Sequence, residues 1–87
     1  MEKILTLEET AKMMLSKDYK ERFKAEYYQL VNRYESLKSM LEKWDAGTLD
    51  FKPASSRAIY SIQIDAMERY IVVLELRAGT EKIDLSK

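Results

Sequence analysis

Ser55, Ser56 and Arg57 stand side by side in the stretch WDAGTLDFKPASSR, which contains the chain's only Trp and its only Pro. Because Pro53 disfavours helix at the residue before it, we expect a helix to begin at the serines. At such a start, free backbone amides, two hydroxyls and a guanidinium would lie together, and the helix dipole would favour an anion. The stretch therefore predicts a phosphate site. Ordinary helix capping is the alternative explanation for the two serines.

Four more side chains along the same segment have types suited to ligand recognition. Tyr60 lies one turn beyond the serines, where its ring could stack on a nucleobase. Arg69 and Arg77 interrupt an otherwise apolar run, and Gln63 lies one turn after Ile59. We expect these three to complete a pocket where two copies of the chain meet. The alternative is that Arg69 pairs with Asp65 one turn earlier, and that Arg77 favours the helix C-terminus.

Enzymatic chemistry is not favoured by this composition. The chain has no His and no Cys, which removes thiolate nucleophiles, the usual zinc sites and the commonest general base at neutral pH. Helical spacing brings no pair of carboxylates onto an apolar face, so the acidic residues are expected to be solvated. We predict a protein that is not an enzyme and that uses no metal and no cofactor.

The charge balance limits the possible partners. Lys plus Arg total 15 and Asp plus Glu total 15, so the net charge is zero. No basic block is present, which argues against DNA, RNA and membrane partners. No apolar segment is long enough to span a bilayer, and we expect a cytoplasmic protein.

Helices are the elements that must position these residues. Two capping patterns open helices, Thr6 with Glu9 and Asp18 with Glu21. Gly47 and Gly79 are predicted to end the two long helices, because glycine adopts the left-handed conformation easily. The single predicted domain, residues 1–87, therefore comprises a short helix 7–15, a long helix 18–45, a loop 46–55, a long helix 56–78 and a tail 79–87.

Both long helices carry apolar residues at alternating spacings of four and three. The first seam comprises Phe23, Tyr27, Leu30, Tyr34, Leu37, Leu41 and Trp44. The second comprises Tyr60, Ile64, Met67, Ile71, Leu74 and Ala78. Such heptad seams predict that the two helices pack together as an antiparallel hairpin.

The third helix has a second apolar set that one partner helix cannot cover: Ile59, Ile62, Ala66, Tyr70, Val73 and Leu76. We therefore predict an all-α protein, an antiparallel helical hairpin with a short N-terminal helix, that assembles as a homo-oligomeric bundle. The alternative is a monomeric three-helix bundle in which the short helix folds over this face. The tail is predicted either to fray or to add an edge contact to a neighbouring chain.

Two segments, ERFKAEYYQLVNRYESLKSML and QIDAMERYIVVLELRAGTEKIDL, resemble a family of small phage-encoded helical-hairpin proteins known from crAss-like phages and prophages. The resemblance covers roughly residues 18 to 85 and is carried by Glu21, Leu30, Arg33, Leu37, Leu41, Gln63, Ala66, Met67, Tyr70, Leu74 and Arg77. It implies a phage accessory protein that acts in the host bacterial cytoplasm. By analogy, small phage proteins of this architecture include sponges that oligomerise and trap nucleotide messengers of CBASS or Thoeris defence.

The expected function is therefore the sequestration of a small nucleotide immune-signalling molecule, which would block bacterial anti-phage defence. Phosphate would be held by Ser55, Ser56 and Arg57, a base would stack on Tyr60, and recognition would be completed by Gln63, Arg69 and Arg77. The alternatives are an anti-CRISPR-like inhibitor that binds a host defence protein, and a structural coiled-coil component of the phage.

Overall fold

Three helices, α1 (Leu7–Met14), α2 (Tyr19–Asp45) and α3 (Arg57–Glu81), account for most of the chain in a computed structural model. The structure describes residues 6–86, so that residues 1–5 and position 87 of the predicted tail lie outside the described residues. No strand occurs between residues 6 and 86. The prediction of an all-helical protein is confirmed for this part of the chain.

The helix starts follow from their capping residues. The Thr6 hydroxyl accepts a 3.1 Å hydrogen bond from the Glu9 amide, and the Glu9 carboxylate accepts a 2.9 Å bond from the Thr6 amide. This reciprocal capping box begins α1 as predicted. At the start of α2, the Asp18 carboxylate instead accepts a 3.0 Å bond from the Lys20 amide. Each cap satisfies backbone amides that have no partner inside the helix.

The two glycines behave differently at the helix ends. Gly47 adopts the left-handed conformation after α2, with φ of +76°. Gly79 remains inside α3, so the predicted end at residue 78 is wrong. The left-handed residue is Lys82, after which the Ile83 amide donates a 2.9 Å hydrogen bond to the Ala78 carbonyl. Burial of the Ile83 side chain beside Ala78 selects this later stop, because a capping turn is stabilised by such an apolar contact.

The predicted seams form the contact between α2 and α3. Every residue of both seams is buried or half-buried. The central cluster is small and comprises Phe23, Leu74, Ala78 and Ile83, with Tyr27, Leu30 and Leu85 packed against it. The tail is thus not frayed over residues 82–86 but lies against the core, and the predicted edge contact to a neighbouring chain stays a prediction. The Tyr28 hydroxyl fixes the tail further by donating to the Leu85 carbonyl.

Tyrosine hydroxyls join α2 to α3 through glutamate carboxylates. The bonds run from Tyr19 to Glu81 at 2.7 Å, Tyr27 to Glu75 at 2.7 Å, Tyr34 to Glu68 at 2.8 Å and Tyr70 to Glu26. From Tyr19 through Tyr27 to Tyr34, the accepting glutamates run backwards along α3 from Glu81 through Glu75 to Glu68. Burial, with the bond to Glu75, raises the pKa of Tyr27 to about 12. The corresponding bonds to Glu81 and Glu68 raise the pKa values of Tyr19 and Tyr34.

One face of α3 stays uncovered in a single chain. All six members of the second apolar set are exposed, and Ile62 and Leu76 retain 70% and 68% of their accessible surface. The short helix α1 lies against α2 and does not cover this face. The alternative arrangement, with the short helix folded over α3, is therefore not found. No described helix is both long and apolar enough to cross a membrane.

Candidate functional site

A cavity of about 330 Å³ lies where the three helices meet. It is lined by Leu7, Asn32, Arg33, Ser36, Leu37, Tyr60, Gln63 and Met67. The volume falls at the lower end of the range for small-molecule pockets, and the lining combines apolar walls with a few polar groups, as such pockets do.

Helical periodicity explains why these side chains converge. On α2, Asn32, Arg33 and Ser36 lie within about one turn of one another, since residues three or four apart share a helix face. On α3, Tyr60, Gln63 and Met67 are spaced by three and four residues and share a face for the same reason. The α1 helix contributes Leu7, which closes an apolar part of the wall.

Tyr60 differs from the other five tyrosines of the chain. Each of those five donates its hydroxyl to a glutamate or, for Tyr28, to the Leu85 carbonyl. The Tyr60 hydroxyl donates to no residue between 6 and 86. Its ring packs edge-on against Trp44, with ring centroids 5.9 Å apart. The ring is thus held in place while its hydroxyl remains available at the cavity wall.

Arg33 is the charged group of this cavity. It makes no ion pair or side-chain hydrogen bond with the part of the chain that the structure describes, and its side chain is exposed. None of the eight lining residues is an acid, so no carboxylate in the wall neutralises it. A guanidinium in this situation can bind an anion with two parallel hydrogen bonds.

The Arg57 guanidinium, by contrast, is already occupied. Its Nε and one terminal nitrogen donate 3.0 Å bonds to the two Asp45 carboxylate oxygens, and the other donates a 2.7 Å bond to the Ser61 hydroxyl. The hydrogen bonds between them lower the pKa of Asp45 and raise that of Arg57. Ser56 caps α3 by accepting a 3.3 Å bond from the Ile59 amide, and Ser55 is exposed in the connection. None of these three predicted phosphate ligands lines the cavity.

The two remaining predicted arginines also lie elsewhere. Arg77 donates to Glu81 at 3.0 Å and to the Tyr19 hydroxyl at 2.6 Å, and its guanidinium lies 4.9 Å from the Phe23 ring centroid. Arg69 is exposed and makes no ion pair within residues 6–86, so the alternative prediction, a pair with Asp65, is not formed in the single chain. Of the seven predicted site residues, the cavity brings together Tyr60 and Gln63.

The loop that follows α2 borders a second cavity, of about 430 Å³. Its walls are Ser36, Ser39, Met40, Lys43, Thr48, Leu49, Asp50 and Phe51. Ser36 is common to both cavities, which therefore adjoin along α2. The loop is thus both a connection and a cavity wall, but through residues other than the predicted Ser55, Ser56 and Arg57.

The sequence contained a signal for Arg33 that the predictions did not use. Positions three and four residues to either side of it are Leu30, Gln29, Ser36 and Leu37, so no acid stands at helical pairing distance. An arginine without such a partner beside a seam is a candidate for an external anion. Within residues 6–86 there is no group of three His, Cys, Asp or Glu side chains that could hold a metal ion.

Comparison with known protein families finds a match over most of the chain. The family model described as Sequestin matches residues 17–80, which include α2, the connection and nearly all of α3. No curated protein and no solved structure matches the chain.

Proposed function

The chain belongs to the Sequestin family, and we propose that it is a non-enzymatic phage accessory protein that sequesters a small phosphorylated nucleotide. The family name suggests the sequestration of a molecule. The cavity at Arg33 and Tyr60 is the proposed binding site, and a bacterial immune messenger is the proposed cargo. By withholding that messenger, the protein would block anti-phage defence in the host cytoplasm.

The observation that carries this proposal is the unused hydrogen-bonding capacity around the cavity. Tyr60, Arg33, Ser36 and Gln63 line one cavity, and none of their side chains is hydrogen-bonded to another described residue. Polar groups that converge on a pocket without internal partners are suited to satisfy the polar groups of a ligand. Arg33, Leu37, Gln63 and Met67 also belong to the residues on which the resemblance to small phage-encoded helical-hairpin proteins rests.

Each lining group has a role that follows from its chemistry. Arg33 binds phosphate through its guanidinium. Tyr60 stacks on the base or donates its hydroxyl, with its ring held by Trp44. The amide of Gln63 offers both donors and an acceptor to the ribose or the base edge. The apolar side chains of Leu7, Leu37 and Met67 surround the remaining surface of the base.

Binding without turnover is the simplest use of this site. The lining provides no carboxylate, imidazole or thiol that could act as a general base or nucleophile. We therefore propose that the chain holds its ligand unchanged. A protein that works in this way must be present in amounts comparable to its ligand.

We also propose that α2 and α3 form an antiparallel hairpin that assembles with further copies. The tyrosine-to-glutamate bonds join the start of α2 to the end of α3 and support the hairpin. The small core and the exposed face of α3 support assembly, because chains of this size bury only about 60% of their unfolded surface alone.

Native mass spectrometry tests whether the protein sequesters a nucleotide. The protein is purified from two sets of bacteria, one with and one without active nucleotide-based defences. We expect an additional nucleotide-sized mass only in the first preparation. Calorimetric titration with cyclic dinucleotides and cyclic ADP-ribose isomers then measures affinity. Arg33→Ala should weaken binding at least about tenfold, since charge-assisted hydrogen bonds contribute about 1.5–3 kcal/mol.

Arg57→Ala is the matched control, because it removes the same side chain from a site where Asp45 already pairs it. We expect it to leave nucleotide affinity unchanged. Equal losses for the two variants would contradict the placement of the ligand at Arg33. A protein that carries no added mass and titrates with no nucleotide would contradict sequestration.

The exposed face of α3 favours one second candidate, a protein-binding inhibitor of a host defence protein. It predicts that the purified chain ignores nucleotides and co-purifies with a defined host protein. Recovery of that protein in stoichiometric amounts, together with failed titrations, would favour this candidate over sequestration.

A further inference from the structure

The exposed face of α3 has a charge pattern that is complementary to itself. We define the α3 stripe as seven of the exposed residues of α3: Ile59, Ile62, Asp65, Ala66, Arg69, Val73 and Leu76. Spacings of three and four residues place them along one side of the helix. The stripe is apolar at both ends and carries one acid and one base, one turn apart, near its middle.

The two charges of the stripe are not paired inside the chain. Arg69 forms no ion pair with any residue from 6 to 86, and Asp65 forms none within that span either. Elsewhere on the long helices, Arg57 and Arg77 are bound by Asp45 and Glu81. A guanidinium within an apolar stripe and without a partner is well placed to pair with an acid from outside the chain.

From this pattern we infer that the α3 stripe is the docking surface for a second copy of the chain, packed antiparallel across a two-fold axis. The axis passes midway between Asp65 and Arg69. In that register Asp65 of one copy faces Arg69 of the other, and symmetry forms the pair twice. Ala66, near the axis, allows the two helices to approach closely.

The alternatives place the same charges unfavourably. In a parallel pairing in register, Asp65 would face Asp65 and Arg69 would face Arg69, and like charges in contact cost free energy. An anionic membrane surface would be expected to select several basic residues along an amphipathic helix, whereas the stripe has a single arginine. Apolar ends with a balanced central pair fit an isologous dimer. The inference deepens the proposed assembly and does not depend on the ligand.

Charge reversal with rescue tests the dimer. The expected mass by light scattering is that of a dimer, or of a larger assembly built from it, and Asp65→Arg and Arg69→Asp should each raise the dissociation constant at least about tenfold. The double variant Asp65→Arg/Arg69→Asp should recover the original value. Glu42→Arg, the same charge change at an exposed position on α2, is the matched control and should have no effect.

A mixing experiment separates lost association from lost folding. Equimolar Asp65→Arg and Arg69→Asp proteins, each weakened alone, should associate when mixed, because each supplies the charges that the other lacks. A wild-type monomer, single variants that dimerise normally, or a double variant that stays weak would overturn the inference. Flotation of the monomer with anionic phospholipid vesicles would also overturn it.

The proposed function has a separate readout. If charge reversal and rescue behave as expected but the protein binds no nucleotide in the titrations, the dimer is supported and sequestration is rejected. Nucleotide binding by a protein whose mass stays that of one chain would retain sequestration and reject this dimer.

Discussion

The Tyr27 hydroxyl donates a 2.7 Å hydrogen bond to the Glu75 carboxylate, joining α2 to α3 beside the central apolar cluster. We expect Tyr27→Phe to lower the free energy of unfolding by about 1 kcal/mol, because one hydrogen bond is lost and Glu75 must find solvent instead. Urea denaturation measures the change. Tyr60→Phe is the matched control and should leave stability unaltered, since the Tyr60 hydroxyl donates to no described residue. Equal destabilisation by both substitutions would refute the assignment.

Alkaline pH should weaken the fold through the same tyrosine. Its folded pKa of about 12 lies above the ordinary value of 10.0, so the folded chain retains a proton that the unfolded chain releases. The contribution of this proton to the free energy of unfolding is complete below pH 10 and is lost as pH rises towards 12. Tyr27→Phe should therefore show a smaller fall in urea midpoint over this interval. An unchanged slope would contradict the raised pKa.

Acid pH should act through the pair between Asp45 and Arg57. The hydrogen bonds from Arg57 lower the pKa of Asp45 below its ordinary 3.8. A lowered carboxyl pKa stabilises the folded state above the unfolded value, and that contribution is lost as pH falls through the folded value. In acid, the melting temperature should fall below its value at neutral pH. We expect this fall to be smaller for Arg57→Ala than for the unmodified protein. Arg33→Ala serves as the control and should show the same decline as the unmodified protein.

Substitution of the two glycines by alanine should have opposite effects. Gly79 lies inside α3, and apart from the adjoining residues and the helix's own backbone no atom lies within 4 Å of an added Cβ. Gly79→Ala should therefore stabilise the chain by about 0.5–1 kcal/mol. Gly47 has φ of +76°, where an L-residue is strained, and Gly47→Ala should cost about 1 kcal/mol. Thermal unfolding of the two variants measures both signs. Destabilisation by Gly79→Ala would mean that α3 ends earlier than Glu81.

Much of the fold was predictable because its causes are local. The seams repeat every three or four residues, and both were correctly assigned to the interface between α2 and α3. Thr6 and Glu9 form their capping box because its bonds span only three residues. The end of α3 was not predictable in this way, since it depends on Ile83 reaching a cluster that includes Phe23, 60 residues earlier.

The same difference between local and long-range causes applies to the residues of the candidate site. Tyr60, which was predicted as a site residue from its position near a helix start, lines the cavity. Arg57 was predicted to bind phosphate, but it is paired with Asp45, which lies 12 residues away across the connection and at no helical spacing. Arg33 was not predicted to line a cavity, because a cavity depends on which faces of three helices converge.

The tyrosine-to-glutamate bonds between α2 and α3 affect how the stability of the chain depends on ionic strength. In the bonds from Tyr27 to Glu75 and from Tyr34 to Glu68 the donor is a neutral phenol, so each contact involves a single charge and not a pair of opposite charges. Dissolved ions screen exposed charge pairs much more than they weaken such bonds or apolar packing. Concentrated electrolyte should therefore leave each chain helical while it loosens the proposed contact between Asp65 and Arg69. Folding and assembly of one small protein would then respond to different features of its solvent.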